Sequence, residues 1–470
     1  MQSPLFGVGL QGKSPVITSQ RRLNLYYEFQ KDQDRTMVSV HGTPGLELFK
    51  DLGDTPIRGL FEKGEFLYAV HRGTFYEINN AGVATSRGTI NTTSGKVSMA
   101  TNGTQIMLVD GLDGWIYTIS SNAFAEITDG DFPANPETVT YQNTYFIVSI
   151  AGSQRFYISA ANDGTAWDAL DFASAEYDPD DIERVYADSA ELVLFGERST
   201  EFWADSGATD FPYTRMQGTQ NEWGLAAKWS LAEYDNSLAY LAKNEMGQVL
   251  PMRLNGYQPQ RMGDDLEFEH IINNYSAVSD ASGFAYMLGG HPMYQLNFPA
   301  QGASWLFDGA TNLWTELKSQ GIDRHRAETH VDYLNQTIVG DYSNGRIYKI
   351  KGDVYTDNGE RIERELVTKH FFDTDQRLTV DSIELLMNSG SGVTTGQGSD
   401  PQVMLQVSKD KGRTWGRELW RDIGAIGEYT KRVIWRRLGM ARDWTFKLRI
   451  TDPVPVHITG TVIKARPARS

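Results

Sequence analysis

Few side chains in this 470-residue chain stand at spacings that do chemistry. Of eight histidines, none forms a His-x-x-x-His pair around a glutamate, so a helical zinc-hydrolase centre is unsupported. His325 and His330, with Glu328 between them, come nearest to a metal-ligand set. Two acidic runs, Asp110 with Asp113 and Asp178 with Asp180 and Asp181, offer the hard oxygens that calcium prefers. Neither has EF-hand spacing, and turns at strand ends account for them equally well. No Gly-x-Ser-x-Gly elbow occurs, and the glycine-rich stretch 390–398 is not closed by Gly-Lys-Ser/Thr, so it reads as a flexible loop and not a phosphate cradle. The absence of cysteine excludes disulfides, thiol catalysis and cysteine-ligated zinc. No catalytic site, metal or cofactor is expected.

The sharpest spacing is Ser408-x-Asp410-x-Gly412-x-Thr414-Trp415, the pattern of an Asp-box. Its logic is turn chemistry: the Asp carboxylate accepts from following backbone amides, Gly supplies positive φ, and a β-branched and an aromatic residue restart the strand. Residues 403–420 therefore read as one β-hairpin with the Trp415 ring packed back across it as core. A degenerate copy lies at Ser159, Asp163, Gly164 and Trp167. Asp-boxes accompany propellers in sialidases, whose chemistry needs an arginine cluster beside an acid and a nucleophile. A single good copy, and Pro56-Ile57-Arg58-Gly59 where an Arg-Ile-Pro motif would stand, leave a propeller glycan hydrolase or a host-glycan adhesin as the alternative function.

The elements that must hold these residues are strands. Long helices are scarce, Gly numbers 45 against 16 Pro, and 11% of residues are aromatic, a turn-rich β composition. Residues 21–28 and 38–45 read as strands of an N-terminal arm spanning 1–55. From about residue 56 a unit recurs: an alternating strand, a Gly/Asp/Asn turn, and a second strand carrying an aromatic. Copies start near Phe66, Ile106, Tyr145, Leu192, Leu238, Phe284 and Thr337, about 40–55 residues apart, which is the period of a β-propeller blade. Six or seven blades fit in 56–352, and a closed ring disposes of the edges that a flat sheet of that size would expose. Residues 353–470 hold five or six further strands and read as a β-sandwich platform domain. The expected fold is all-β, a central propeller with a C-terminal sandwich.

Charge divides the chain unevenly. Residues 401–470 carry 15 basic and 6 acidic residues, net +9, while residues 1–400 carry 29 and 54, net −25. Two surfaces with different partners are implied. The basic residues concentrate at 429–438, where Lys431, Arg432, Arg436 and Arg437 surround Trp435. On a strand, Arg432, Ile434, Arg436 and Leu438 share one face and Lys431, Val433, Trp435 and Arg437 the other. These are the candidate partner- or subunit-docking residues, and an acidic protein surface suits them better than DNA. The N-terminus lacks the charged and apolar regions of a secretory signal, and no apolar run approaches the roughly 18 residues of a membrane span. A soluble protein with no membrane partner is expected.

Taken together, residues 399–418, 423–439, 446–450 and 453–456 resemble the C-terminal part of the packaged-DNA stabilisation proteins of short-tailed bacteriophages, also called tail hub or tail nozzle proteins. Further matches are Arg22-Leu-Asn-Leu-Tyr-Tyr-Glu28, Thr43-Pro-Gly45, Ile57-Arg-Gly59 and Phe195-Gly-Glu-Arg-Ser-Thr-Glu-Phe-Trp203 with Gly207, Phe211 and Pro212. The resemblance implies a structural virion protein of the tail, assembled in the host cytoplasm, with no catalytic residue to carry over. It implies a homo-hexameric ring below the portal and its adaptor (head-completion) protein that closes the head after packaging and retains the DNA. Tailspike or fibre proteins would attach around it and a tail needle or plug below. Genomic DNA would leave through its lumen without sequence-specific binding. A six-fold ring of acidic bodies, roughly −100 in charge, would repel phosphates and let DNA slide.

Overall fold

The computed structural model describes residues 9–12, 14, 19–32, 35–208, 210–263, 266–373 and 376–468. Seven blades follow one another around a ring. Blade one runs from Ile57–Lys63 at the axis to Ala84–Thr89 at the rim, blade two from Ser98–Thr101 to Ala123–Glu126, and blade three from Pro136–Gln142 to Asp163–Ser174. Blade four runs from Ile182–Asp188 to Tyr213–Arg215. In blade five the inner position is shared by two short strands, Gly224–Leu225 and Ala232–Tyr234, which both pair with Ser237–Lys243. Blade six is Ser282–Leu288 to Leu313–Leu317.

Hairpins between first and second strands turn through consecutive positive-φ pairs: Asn143-Thr144, Asp235-Asn236, Gly289-Gly290 and Leu334-Asn335. That is the two-residue geometry matched to strand twist. The recurrent Asn and Gly of the sequence repeat are thus the turn residues, while the aromatics beside them fill the spaces between blades. Phe75, Trp115 and Tyr117, for example, pack in the layer shared by blades one and two.

Blade seven closes the ring with a strand from the other end of the chain. Ala327–Tyr333, Gln336–Asp341 and Arg346–Lys351 are completed by Gly45–Asp51, which pairs antiparallel with Arg346–Lys351. Residues 45–51, grouped in sequence with the arm of 1–55, thus lie in the propeller. Two arm strands lie elsewhere: Leu25–Asp32 and Arg35–Gly42 form a hairpin in one sandwich sheet, ordered with His457–Pro467, Leu378–Met387 and Val433–Ala441. The second sandwich sheet contains Arg364–Val367, Asp443–Ile450, Gln402–Ser408 and Leu419–Asp422. It is continuous with blade six through Arg21–Leu23, which pairs parallel to Leu313–Leu317 and antiparallel to Arg364–Val367. Propeller and sandwich therefore share one ten-stranded sheet.

The sandwich core is a single cluster that includes Tyr27, Val380, Ile383, Val403, Trp435, Trp444 and Phe446. An eight-residue α-helix that the sequence reading did not anticipate, Leu266–Asn273, follows blade five. It places Phe268 against Trp314, ring centroids 3.9 Å apart. Among the described residues no helix is long and apolar enough to cross a membrane.

Candidate functional site

The innermost strands of all seven blades surround an axial cavity of about 1000 Å³. Four of these strands enter with the same irregularity. The pairing register slips between Ile57 and Gly59, Pro136 and Thr138, Ile182 and Arg184, and Ala327 and Thr329. The residues in the slips are Arg58, Glu137, Glu183 and Glu328. A bulge turns one side chain out of the strand's alternation, and here the four charges meet the segments that lead into neighbouring strands.

Arg58 donates to the carbonyls of Arg72, Thr92, Ser94 and Gly95 at 2.6–2.8 Å. It thereby fixes the connection into blade two. Glu137 of blade three and Glu183 of blade four both approach Lys228 of blade five, Glu183 at 3.7 Å. Glu328 of blade seven pairs with Lys96 at 2.6 Å and with Arg324. Burial works against the Glu328 charge, yet Lys96 and Arg324 hold its carboxyl down at about 2. Burial pushes the Arg184 guanidinium down to about 10; it donates to the carbonyls of Lys228 and Leu231 and lies 5.6 Å from the Trp229 ring centroid. One mouth of the bore is therefore occupied by ion pairs that bind blade to blade. Sequence inspection missed this ring, although its signal was present: an apolar or proline residue followed by a charge, Ile57-Arg58, Pro136-Glu137, Ile182-Glu183 and Ala327-Glu328, opens each of the four strands.

The acidic runs considered for calcium are absorbed by turns. Asp110 accepts from the amides of Leu112 and Asp113 and from the Thr92 hydroxyl, and Asp180 accepts from the amides of Arg198 and Ser199 and from the Ser199 hydroxyl. His325 and His330 are not brought to a common point. His325 contacts Gln295 and burial pushes its imidazole down to about 4, whereas His330 stacks on Phe284. Among the described residues no group of three acidic or histidine side chains is placed to hold a metal ion.

The Asp-box reverses the sequence ranking of its two copies. At 408–415 the hydrogen bonds form: Thr414 donates to Asp410 from both amide and hydroxyl, Gly412 donates to Ser408 Oγ, and Gly412 takes φ +80°. The Thr414 donors and the Ser408 hydroxyl hold the Asp410 carboxyl at about 2. The hairpin closes at Gly416, whose amide donates to the Val407 carbonyl at 3.0 Å, yet Trp415 is only partly covered, with Lys447 Nζ 4.5 Å from its ring centroid. The expectation that Trp415 is core is therefore corrected. The degenerate copy does the packing: Trp167 is buried and donates from its indole to the Gly164 carbonyl at 2.9 Å, while Asp163 accepts from the Thr165 amide and hydroxyl.

The basic docking candidates separate as well. Trp435 is buried in the sandwich core and donates to the Leu419 carbonyl at 2.7 Å, so its place beside basic residues in sequence does not make it a contact for a partner. Lys431 pairs with Asp422 and Glu428, and Arg432 holds Glu384 through two 2.8 Å hydrogen bonds. Both precede the strand Val433–Ala441. Arg436 and Arg437 are exposed and have no ion pair among the described residues. A bulge opposite Asp381 puts Arg437 at φ +60° and ends the alternation assumed in sequence.

The segment 21–28 occupies the joint. Arg21 bonds Glu316 of blade six at 2.7 Å and Glu365 of the sandwich at 3.1 Å, and the Asn24 amide donates to the carbonyls of Lys318 and Glu363. A closed propeller fused through a shared sheet to a β-sandwich, with its bore charges engaged in holding blades together, defines a two-domain all-β class of protein. The chain belongs to the bacteriophage P22 Gp10 β-propeller family, whose pattern matches residues 14–355, and residues 363–466 match the companion bacteriophage P22 Gp10 β-sandwich family.

A curated relative, the tail hub protein gp10 of Salmonella phage P22, is 25% identical over 393 residues, covering 79% of this chain and 80% of that protein. Similar solved structures include BamB from Moraxella catarrhalis, at 9% identity, 70% of this chain, 99% of that chain and a TM-score of 0.39. Another is the WD40 β-propeller domain of Doa1, at 11% identity, 65% of this chain, 97% of that chain and a TM-score of 0.39. These superpositions are loose, and the blade assignment rests on strand pairing.

Proposed function

We propose that this chain is a structural tail hub of a phage virion, carried above all by its membership of a family that matches both of its domains. The hub stands below the portal and adaptor as a six-fold ring, closes the head after packaging, retains the DNA and forms the ejection channel. Tailspike or fibre proteins and a needle or plug attach to it. It is assembled in the host cytoplasm and has no catalytic role.

The dimensions of the propeller support a channel between copies and not within one. A duplex, whose major groove alone is about 12 Å wide, is large beside a bore of about 1000 Å³. Lys96 and Glu328 also meet across one mouth of that bore. DNA passing this protein then runs along outer surfaces of a ring of copies. The net charge of −16 per chain disfavours phosphate adhesion along such a path.

The test is a class average of the purified full chain with its adaptor, together with packaging in a phage lacking the protein. Six-fold rings, and heads that lose DNA when the protein is missing, are expected. Particles that keep their DNA and assemble complete tails without it overturn the proposal.

A further inference from the structure

Two patches that cannot meet within one chain complement each other in charge. The first is the rim of the sandwich at Leu419–Asp422, the terminal strand of the ten-stranded sheet that begins in blade six. This rim therefore points away from the propeller. It is tied to Val433–Ala441 by the Arg421 hydrogen bond to the Ile434 carbonyl and by the Trp435 bond to Leu419. Three large apolar side chains stand out around it: Trp420 is 50% exposed, Ile426 56% and Tyr429 74%. Arg436 and Arg437 lie on the adjoining strand, exposed and in no salt bridge among the described residues, although Arg436 also acts on the Glu384 carboxylate that Arg432 holds. Exposed aromatic side chains on a rim that also carries arginines have the composition of an interface centre.

The second patch is the sector of blades two to four. Residues 98–215 hold 20 acidic and 4 basic residues; Glu137 and Glu183 are taken up by Lys228 at the bore, whereas Asp168 and Asp171 at the outer edge of blade three form no ion pair among the described residues. In a ring of seven, blade three stands opposite the boundary of blades six and seven, where the sandwich is joined. The acidic sector is thus the part of the propeller farthest from its own basic rim. On the outermost strand of blade three, Asp163–Ser174, Leu170 is 81% exposed between Asp168 and Asp171. An exposed apolar side chain between carboxylates is opposite in charge to a rim of exposed apolar side chains and arginines.

We infer that the sandwich rim of one copy docks on the acidic outer edge of blade three in the next copy of this chain. Because the two patches differ and both belong to every copy, the contact is heterologous, the kind that closes into a ring when its rotation divides a full turn. The inference rests on the tail hub reading and gives that ring its contact surfaces.

The experiment uses the full chain, with sedimentation velocity at low and high ionic strength and electron microscopy of the same samples. Three proteins are compared with the parent: R436E with R437E, D168K with D171K, and all four changes together. Melting curves and circular dichroism establish that each is folded. Each single-side reversal is expected to weaken self-association by roughly 100-fold at low salt, and the combined reversal to restore it.

Folded single-side variants that assemble like the parent, or a combined variant that fails to recover, overturn the interface. A parent that stays monomeric at every concentration overturns it too, and assigns the rim to another virion protein. Incorporation of the parent into tails, scored separately, decides the hub reading: a protein that enters tails while its rings ignore these charges loses only the interface.

Discussion

Trp435 and Trp415 differ in placement, and replacing each in turn measures the difference. Trp435 is almost fully buried among Val433, Val403, Phe446 and the other residues of the sandwich core, and its indole satisfies the Leu419 carbonyl at 2.7 Å. Trp435→Ala removes a large buried ring and leaves a cavity, a loss of about 3–5 kcal/mol. The unsatisfied carbonyl adds about 1 kcal/mol where water cannot reach it. Trp435→Phe keeps most of the apolar area and isolates the hydrogen bond, for a loss of about 1–2 kcal/mol.

At Trp415 only partial cover and one Lys447 cation–π contact are lost, so Trp415→Ala costs about 1 kcal/mol. The assay is urea unfolding followed by tryptophan fluorescence, with the sandwich transition read separately where the domains unfold in steps. For a domain of this size Trp435→Ala moves the midpoint by about 1–2 M, and Trp415→Ala by less than about 0.5 M. Equal shifts, or a Trp435→Ala protein of unchanged stability that has lost assembly, would refute the placement of the two rings.

Glu328→Gln leaves Lys96 and Arg324 without their shared carboxylate at the bore. Breaking a buried cluster of this kind costs about 3–5 kcal/mol, visible as a lowered melting temperature, and an unchanged melt would show the bore mouth to be solvated. Gly45→Ala brings a Cβ to 2.4 Å from the Thr356 carbonyl and 2.5 Å from that of Val354. The closing strand of blade seven must then shift, at about 1–3 kcal/mol, and hydrogen exchange is expected to quicken in Gly45–Asp51 and Arg346–Lys351 ahead of blades two to four; uniform exchange counts against closure by this strand.

Acid is expected to destabilise the protein through its buried histidines. Burial holds His325 at about 4 and lowers His41 and His457, whose Nδ1 atoms lie 2.7 Å apart. With folded values below the unfolded value of about 6.5, the unfolded chain binds more protons in that window, so stability falls as pH drops from about 6.5 toward 4. A smaller fall of the unfolding midpoint over this range in a His325→Gln background than in the parent measures the His325 share, the remainder belonging to His41 and His457. A flat profile in the parent contradicts the burial of all three.

Much of the architecture is determined by local pattern. Alternating strands separated by Asn and Gly turns, recurring at blade period, require hairpins with one face apolar, and a ring is the arrangement that leaves few edges. Positive-φ turns such as Asp235-Asn236 are visible in the residue types themselves, because few residues tolerate that backbone. The resemblance to phage tail proteins is likewise carried by contiguous segments.

What the sequence could not decide depends on contacts between residues far apart in the chain. Closure of blade seven joins Gly45–Asp51 to Arg346–Lys351, some 300 residues away, and no local propensity encodes which strand fills an open edge. The bulges at Arg58, Glu137, Glu183 and Glu328 break the two-residue alternation that strand reading assumes, and so they concealed the ion pairs at the bore. The Asp-box was recognisable from its turn chemistry, whereas the fate of its tryptophan was not. Hydrogen-bonding residues set a turn locally, but whether a ring is buried depends on which sheet lies across from it. Trp167 and Trp435 find one, and Trp415 meets a lysine at the surface.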